Sequence, residues 1–163
     1  MSHLNRKFDI GFSNGVAYIK FRGIWDIEDA ISYEKETLLL KKTLNPSTIN
    51  NWIGLIDLSD WSFGSKDAID IITDVRLNSF HNKCRHNFYY IGNNKLVFSL
   101  FYFSSLTNNE KLNGFFTYHM SSSSLLKRMN MFCQKNTLFS EIDINPVVIN
   151  DFVLGKKELS DLL

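Results

Sequence analysis

The sequence predicts an α/β fold built on a single mixed, mostly parallel β-sheet, with an N-terminal β-hairpin and about four helices. Three observations carry that expectation. Phe8 to Arg22 alternates apolar and polar residues around Asn14-Gly15, the pair most favoured in a two-residue type I′ turn. Trp52 to Ser59 is a short apolar run that feeds through turn residues into a helical pattern at Lys66, which is how a strand buried on both faces reads. Strand-like and helix-like stretches then alternate, for an order of β-β-α-β-α-β-α-β-α.

Each element has its own local reason. Gly23 ends the hairpin, and Trp25-Asp26 opens a helix with Asp26 as N-cap and Asp29 in the capping-box position. Ile27, Ala30, Ile31 and Leu38 keep helical spacing toward Leu44, and Asn45-Pro46-Ser47 closes the helix, because the residue before a proline is pushed out of the helical region. Trp52 to Ser59 is read as the central strand, with Asp57 near its carboxyl end and Asp60 to Ser65 as the following turn. Ala68, Ile71, Ile72 and Val75 give a second amphipathic helix to about Asn82, with Lys83 to His86 as its exit.

Asn87 to Ile91 is a further strand, stopped by Gly92-Asn93-Asn94. Leu96 to Phe103 is apolar nearly throughout; its length and the pattern to Leu112 tilt the reading to helix. Gly114 to Met120 reads as a strand, and the serine run before Leu125 supplies N-caps for a last helix to about Gln134. Ile142 to Ile149 alternates around Pro146 and could add an edge strand, since proline is unwelcome in a central one.

A length of 163 residues is that of one domain with a substantial core, divided here into a domain over 1–136 and a C-terminal extension over 137–163, an edge strand or dimer arm. The net charge of +1, without a large Lys/Arg cluster, argues against nucleic acid. The start of the chain lacks a signal-peptide pattern, and no apolar stretch reaches spanning length, so no transmembrane segment and a cytoplasmic location are expected. Cys84 and Cys133 stand in unlike contexts, as free thiols of a reducing compartment do.

The hairpin, the Trp25-Asp26 helix start and the strand-turn-helix segment around Asp57 together resemble the STAS-like domains related to bacterial anti-sigma-factor antagonists, the SpoIIAA-like fold. The resemblance spans roughly residues 8 to 135. In the antagonists the segment after the central strand reads approximately D-L-S-x-V-x-F-x-D-S-x-G, and a kinase phosphorylates the serine of the D-S pair. Here Asp57-Leu58-Ser59 and Phe63 fit, the D-S positions are held by Ser65 and Lys66, and Ala68 holds the small residue. The phosphoacceptor position is thus a lysine, with Ser65 one residue away where a phosphate would meet the helix N-terminus. The resemblance implies a divergent regulatory module that keeps the fold and has changed its regulatory chemistry.

Residue chemistry adds less. Asp57 is a catalytic carboxylate or, more in keeping with the absence of a second well-spaced carboxylate, a group that fixes the turn through backbone N–H bonds. Ser59, Ser62 and Ser65 lie outside any G-x-S-x-G elbow, so capping and turn roles outweigh nucleophilic ones. His81, Cys84 and His86 form an H-x-x-C-x-H set that would need distant His119 or Cys133 to hold zinc, so no metal and no cofactor are expected. No constellation unites nucleophile, base and oxyanion donors, which points away from an enzyme.

The expectation is therefore a non-enzymatic module that binds a protein partner through Asp57, Ser59, Asp60, Trp61, Ser62, Ser65 and Lys66. The alternative is a binder of an apolar small molecule or lipid, in a pocket under the aromatic 96–106 segment lined by Trp25, Phe98, Phe101 and Tyr102. A homodimer formed through the C-terminal extension is a further expectation.

Overall fold

Five strands pair in the order β1-β2-β3-β4-β5, each beside its neighbour in sequence. They are β1 (Phe8–Ser13), β2 (Val16–Trp25), β3 (Trp52–Gly64), β4 (Cys84–Tyr90) and β5 (Phe116–His119). β1 runs antiparallel to β2, and the remaining pairs are parallel. The helices are α1 (Ile27–Thr43), α2 (Lys66–His81), α3 (Ser122–Lys135) and α4 (Pro146–Val153). This computed structural model describes residues 6–43, 52–81, 84–97, 99, 115–135 and 146–153, and the account of the fold concerns these.

The mixed sheet is the expected one, and local chemistry accounts for its joints. Asn14 and Gly15 have φ of 50° and 81°, the two left-handed conformations a type I′ turn requires. At the start of α1, Asp29 N–H donates to Asp26 Oδ1 at 3.0 Å, while Asp26 N–H donates to Asp29 Oδ2 at 3.1 Å, closing a reciprocal capping box. Ser65 caps α2 by accepting from Ala68 N–H at 3.2 Å. In β3, a β-carbon on Gly54 would fall 2.1 Å from Asn87 Oδ1 on β4, so only glycine admits that close approach.

The two faces of the sheet bury separate cores. On one, Phe21, Trp25, Leu58, Trp61 and Tyr89 pack against Ala30 and Tyr33 of α1 and Ala68 and Ile72 of α2. On the other, Tyr18, Leu55 and Phe88 meet Leu125 and Met129 of α3 and Ile149 and Phe152 of α4. The arrangement is three-layered, with β3 central as expected.

Several expectations on local structure are corrected. β2 does not end at Gly23, and Asp60 to Gly64 is no turn: both strands continue, pairing Arg22 with Asp60, Gly23 with Trp61 and Trp25 with Gly64. The Asp, Ser and Gly residues there read as turn formers, whereas Trp61 and Phe63 alternate inward as a strand requires. Cys84 to His86 is the start of β4, with Cys84 and His86 buried rather than part of a solvated exit. Residues 146–149 belong to helix α4 and not to an edge strand. Pro146 is tolerated in a first helical turn, and Ile149 and Phe152 fall three apart on the face that meets the sheet. Most of the segment from 96 to 112 lies outside the described residues, although 95–97 are helical and Val97 is buried.

Candidate functional site

Asp57 sits mid-way along β3, at the last register pair that β3 makes with β4. It is fully buried, on the face that carries α3 and α4, as the side-chain alternation from Ile53 and Leu55 dictates. Its Oδ2 faces Lys20 Nζ of β2 at 3.0 Å. Its Oδ1 accepts from Ser59 N–H at 2.9 Å and from Ser59 Oγ at 2.6 Å. Both oxygens are thereby committed, and the carboxylate acts as the organiser of the strand.

The Ser59 contacts fix a β-bulge. Between the pairs Lys20/Asp57 and Arg22/Asp60, β3 has one residue more than β2. The extra residue lets Leu58 and Trp61, three apart, enter the same core, and it brings Asp60 back toward Lys20, whose Nζ lies 3.1 Å from Asp60 Oδ2. Burial works to lower the Lys20 pKa, and the adjacent carboxylates of Asp57 and Asp60 outweigh it, so the ammonium is held above its ordinary value.

A second bulge separates Gly23/Trp61 from Trp25/Gly64 and leaves Phe63 at a φ of +94°. That conformation costs a non-glycine residue about 1–3 kcal/mol and persists only where its surroundings over-determine it. Here the following Ser65 N–H is tied to Trp25 O at 3.0 Å. The outcome is a two-stranded ribbon, residues 22–25 and 60–64, that runs beyond the ends of β1 and β4. Ile24 is 67% exposed on it, and Asp60 and Ser62 are exposed beside it.

The sequence-predicted residues divide accordingly. Asp60, Ser62, Ser65 and Lys66 reach solvent at the ribbon and the start of α2, where Lys66 pairs with Asp70 at 2.6 Å. Ser59 is half-buried, while Asp57 and Trp61 are buried; Trp61 packs edge-to-face with Phe21 and Trp25 in the core and cannot itself meet a partner. Trp25 belongs to that same aromatic cluster, at 1% exposure. Phe98, Phe101 and Tyr102 lie outside the described residues. An open cleft of about 310 Å³ does occur nearby, bordered by Ile91, Lys95, Ser99 and Met120.

Sequence reasoning missed the rest of the polar row. Lys20, Asp57, Tyr90 and His119 are successive register partners across β2, β3, β4 and β5. A lysine inside an otherwise apolar strand, on the face set by Val16 and Tyr18, was the available signal for Lys20. Burial, reinforced by Asp57, raises the Tyr90 pKa. His119 is pushed down to about 4, first by burial and then by Arg128 of α3. Its Nε2 meets Thr117 Oγ1 at 3.1 Å, and the same hydroxyl lies 2.9 Å from His86 Nε2, while its Nδ1 reaches Ser124 Oγ at 3.2 Å. The two histidines of the region are thus linked to each other through a threonine. Among the described residues no group of three or more His, Cys, Asp or Glu could hold a metal ion. No described helix is long and apolar enough to cross a membrane.

No protein-family model matches the chain, and no curated protein does. Solved structures do match. The chain is similar to an uncharacterised protein of the DUF3478 family from Shewanella loihica PV-4, described as having a SpoIIAA-like fold, at 19% identity and a TM-score of 0.54, covering 78% of this chain and 98% of that one. The fold is SpoIIAA-like. It is also similar to the phosphorylated form of the Bacillus cell fate determinant SpoIIAA, at 10% identity and a TM-score of 0.49, over 75% of this chain and 98% of that one. The anti-sigma factor antagonist SpoIIAA in its unphosphorylated form matches at 6% identity and a TM-score of 0.46, over 76% and 97% of the two chains. A SpoIIAA-like fold at such identities fixes the architecture and leaves the activity to the residues of the site.

Proposed function

We propose that this SpoIIAA-like protein is a non-enzymatic regulatory module that engages a protein partner through the outer ribbon and the start of α2, from Asp60 to Lys66. The observation that carries the reading is the projecting ribbon, with Ile24 exposed beside Asp60 and Ser62 and with backbone strain held at Phe63. An exposed apolar side chain with exposed polar residues on the paired strand suits the apolar centre and polar rim of a contact surface. Asp57, Lys20 and Ser59 shape that surface from below. Ser65 is the serine best placed for regulation, because phosphate oxygens there retain the cap on Ala68 N–H and meet the positive end of the α2 dipole. Retention of one partner protein by the wild type and by an α3 surface variant, together with its loss from Ile24→Asp and Lys66→Glu, is the expected result. Equal retention by all four proteins opposes the reading.

A second reading, binding of a small apolar molecule, draws on the cleft bordered by Ile91 and Met120, beside which Leu96 is 70% exposed. Native mass spectrometry of protein from its own cells reads this one. An adduct lost on denaturation and weakened by Met120→Asp supports it, and a bare native mass removes it.

A further inference from the structure

Among the described residues, no strand pairs with the outer ribbon on either side. β1 begins at Phe8, opposite Phe21, and β4 ends at Tyr90, opposite Asp57, so the backbone of 22–25 and 58–64 runs on without those neighbours. Strand N–H and carbonyl groups left this way need other partners. On the β1 side, Lys7 supplies them: its carbonyl accepts Arg22 N–H at 2.8 Å, and its Nζ donates to Ile24 O at 2.9 Å. On the β4 side, the Asn94 Nδ2 amide donates to Trp61 O at 2.6 Å and to Leu58 O at 3.3 Å. The Leu58 carbonyl lies within the first bulge and that of Trp61 just past it, where the β3 register with β2 shifts.

We infer that Asn94 is a positioning residue for the candidate surface: its side-chain amide donates to β3 carbonyls beyond the last β4 pair and sets the conformation in which Asp60 to Lys66 are presented. The inference rests on the reading of the ribbon as the partner surface. Asn94 is itself anchored, since its N–H donates to Ile91 O at 2.9 Å and its Oδ1 accepts from Val97 N–H at 3.4 Å, at the start of the short helical stretch whose Val97 is buried in the core. One side chain thus connects the β3 bulge to the segment after β4. Only asparagine among residues of this size offers two donors and an acceptor in that geometry.

The competing account is simple: Asn94 caps the helical stretch at 95–97, and its two contacts with β3 are incidental. Asn94→Asp separates the two, because a carboxylate caps at least as well as an amide but sets negative oxygens against two carbonyls. Amide hydrogen exchange is the readout, with Leu55 and Ile56 in the inner half of β3 as internal reference. In Asn94→Asp, and in Asn94→Ser, which keeps a cap acceptor and loses the amide donors, exchange at Trp61 to Ser65 rises roughly 10-fold or more while the inner half is unchanged. Wild-type exchange in Asn94→Asp, or a rise shared equally by Leu55 and Ile56, overturns the inference.

Photo-cross-linking to a partner from residue 62 is the second arm. It weakens in Asn94→Asp if Asn94 positions the surface, and undiminished cross-linking overturns the positioning role. A wild type that yields no cross-link removes the partner reading, while the exchange data still decide whether Asn94 holds the ribbon.

Discussion

The Lys20 ammonium and the Asp57 carboxylate meet at 3.0 Å across β2 and β3, with the carboxylate wholly out of solvent and the lysine nearly so. Removal of one partner from such a pair leaves a buried charge uncompensated, which costs about 3–5 kcal/mol. Lys20→Met is expected to lower the urea unfolding free energy by that order, and Asp57→Asn by less, because Oδ1 can still accept from Ser59 and Lys20 retains Asp60. The raised Lys20 pKa sets the pH window: its contribution is complete below the ordinary lysine value of 10.5 and is lost as pH rises through the higher folded value.

His119 contributes to the acid limb. Its folded pKa of about 4 lies below the ordinary 6.5, so between those values the unfolded chain binds the extra proton. The His119 contribution is therefore complete above pH 6.5 and is lost as pH drops toward 4, by roughly 2–3 kcal/mol. His119→Gln keeps a polar side chain beside Thr117 and is expected to flatten that slope relative to wild type in pH-dependent denaturation; an unchanged slope contradicts the assignment.

The serines separate by their partners. A carboxylate at position 59 would crowd Asp57 Oδ1, whose hydrogen bond from Ser59 Oγ is 2.6 Å, so Ser59→Asp is expected to cost about 2 kcal/mol. Ser65→Asp retains an N-cap acceptor on α2 and is expected to stay within about 0.5 kcal/mol of wild type. Thermal denaturation of the two variants side by side checks the order.

Gly54→Ala places a β-carbon 2.1 Å from Asn87 Oδ1, deep between β3 and β4. A loss of about 1–3 kcal/mol is expected from the forced shift. Asn87→Ala in the same chain should recover part of it, a coupling that a double-mutant cycle measures directly.

The frame of the fold was legible because its signals are local. Asn14-Gly15 fixes the hairpin by backbone conformation alone, and Asp26 with Asp29 announces α1 three residues apart. The ribbon was not legible. Asp60, Ser62 and Gly64 carry turn composition, and their extended conformation depends on pairing with Arg22 to Trp25, which lie some forty residues away in sequence. The same holds for α4, where period-two alternation from Ile142 to Ile149 competed with the helical spacing of Ile149 and Phe152 that burial against Tyr18 selects. At the site, Asp57 could be singled out from its strand position, but its role came from Lys20 and Ser59, contacts that no single-strand pattern encodes. Asn94 read only as part of a Gly-Asn-Asn turn, since its partners are carbonyls of another strand.

The central claim, that the outer ribbon meets a protein partner, is tested most directly by site-specific photo-cross-linking in the protein's own cells. A photoreactive residue is placed at exposed Ser62 on the ribbon, or at exposed Lys135 at the far end of α3. A discrete adduct from position 62, absent from position 135 and abolished by Ile24→Asp, is the predicted result. No adduct from position 62, or the same adduct from both positions, would contradict it.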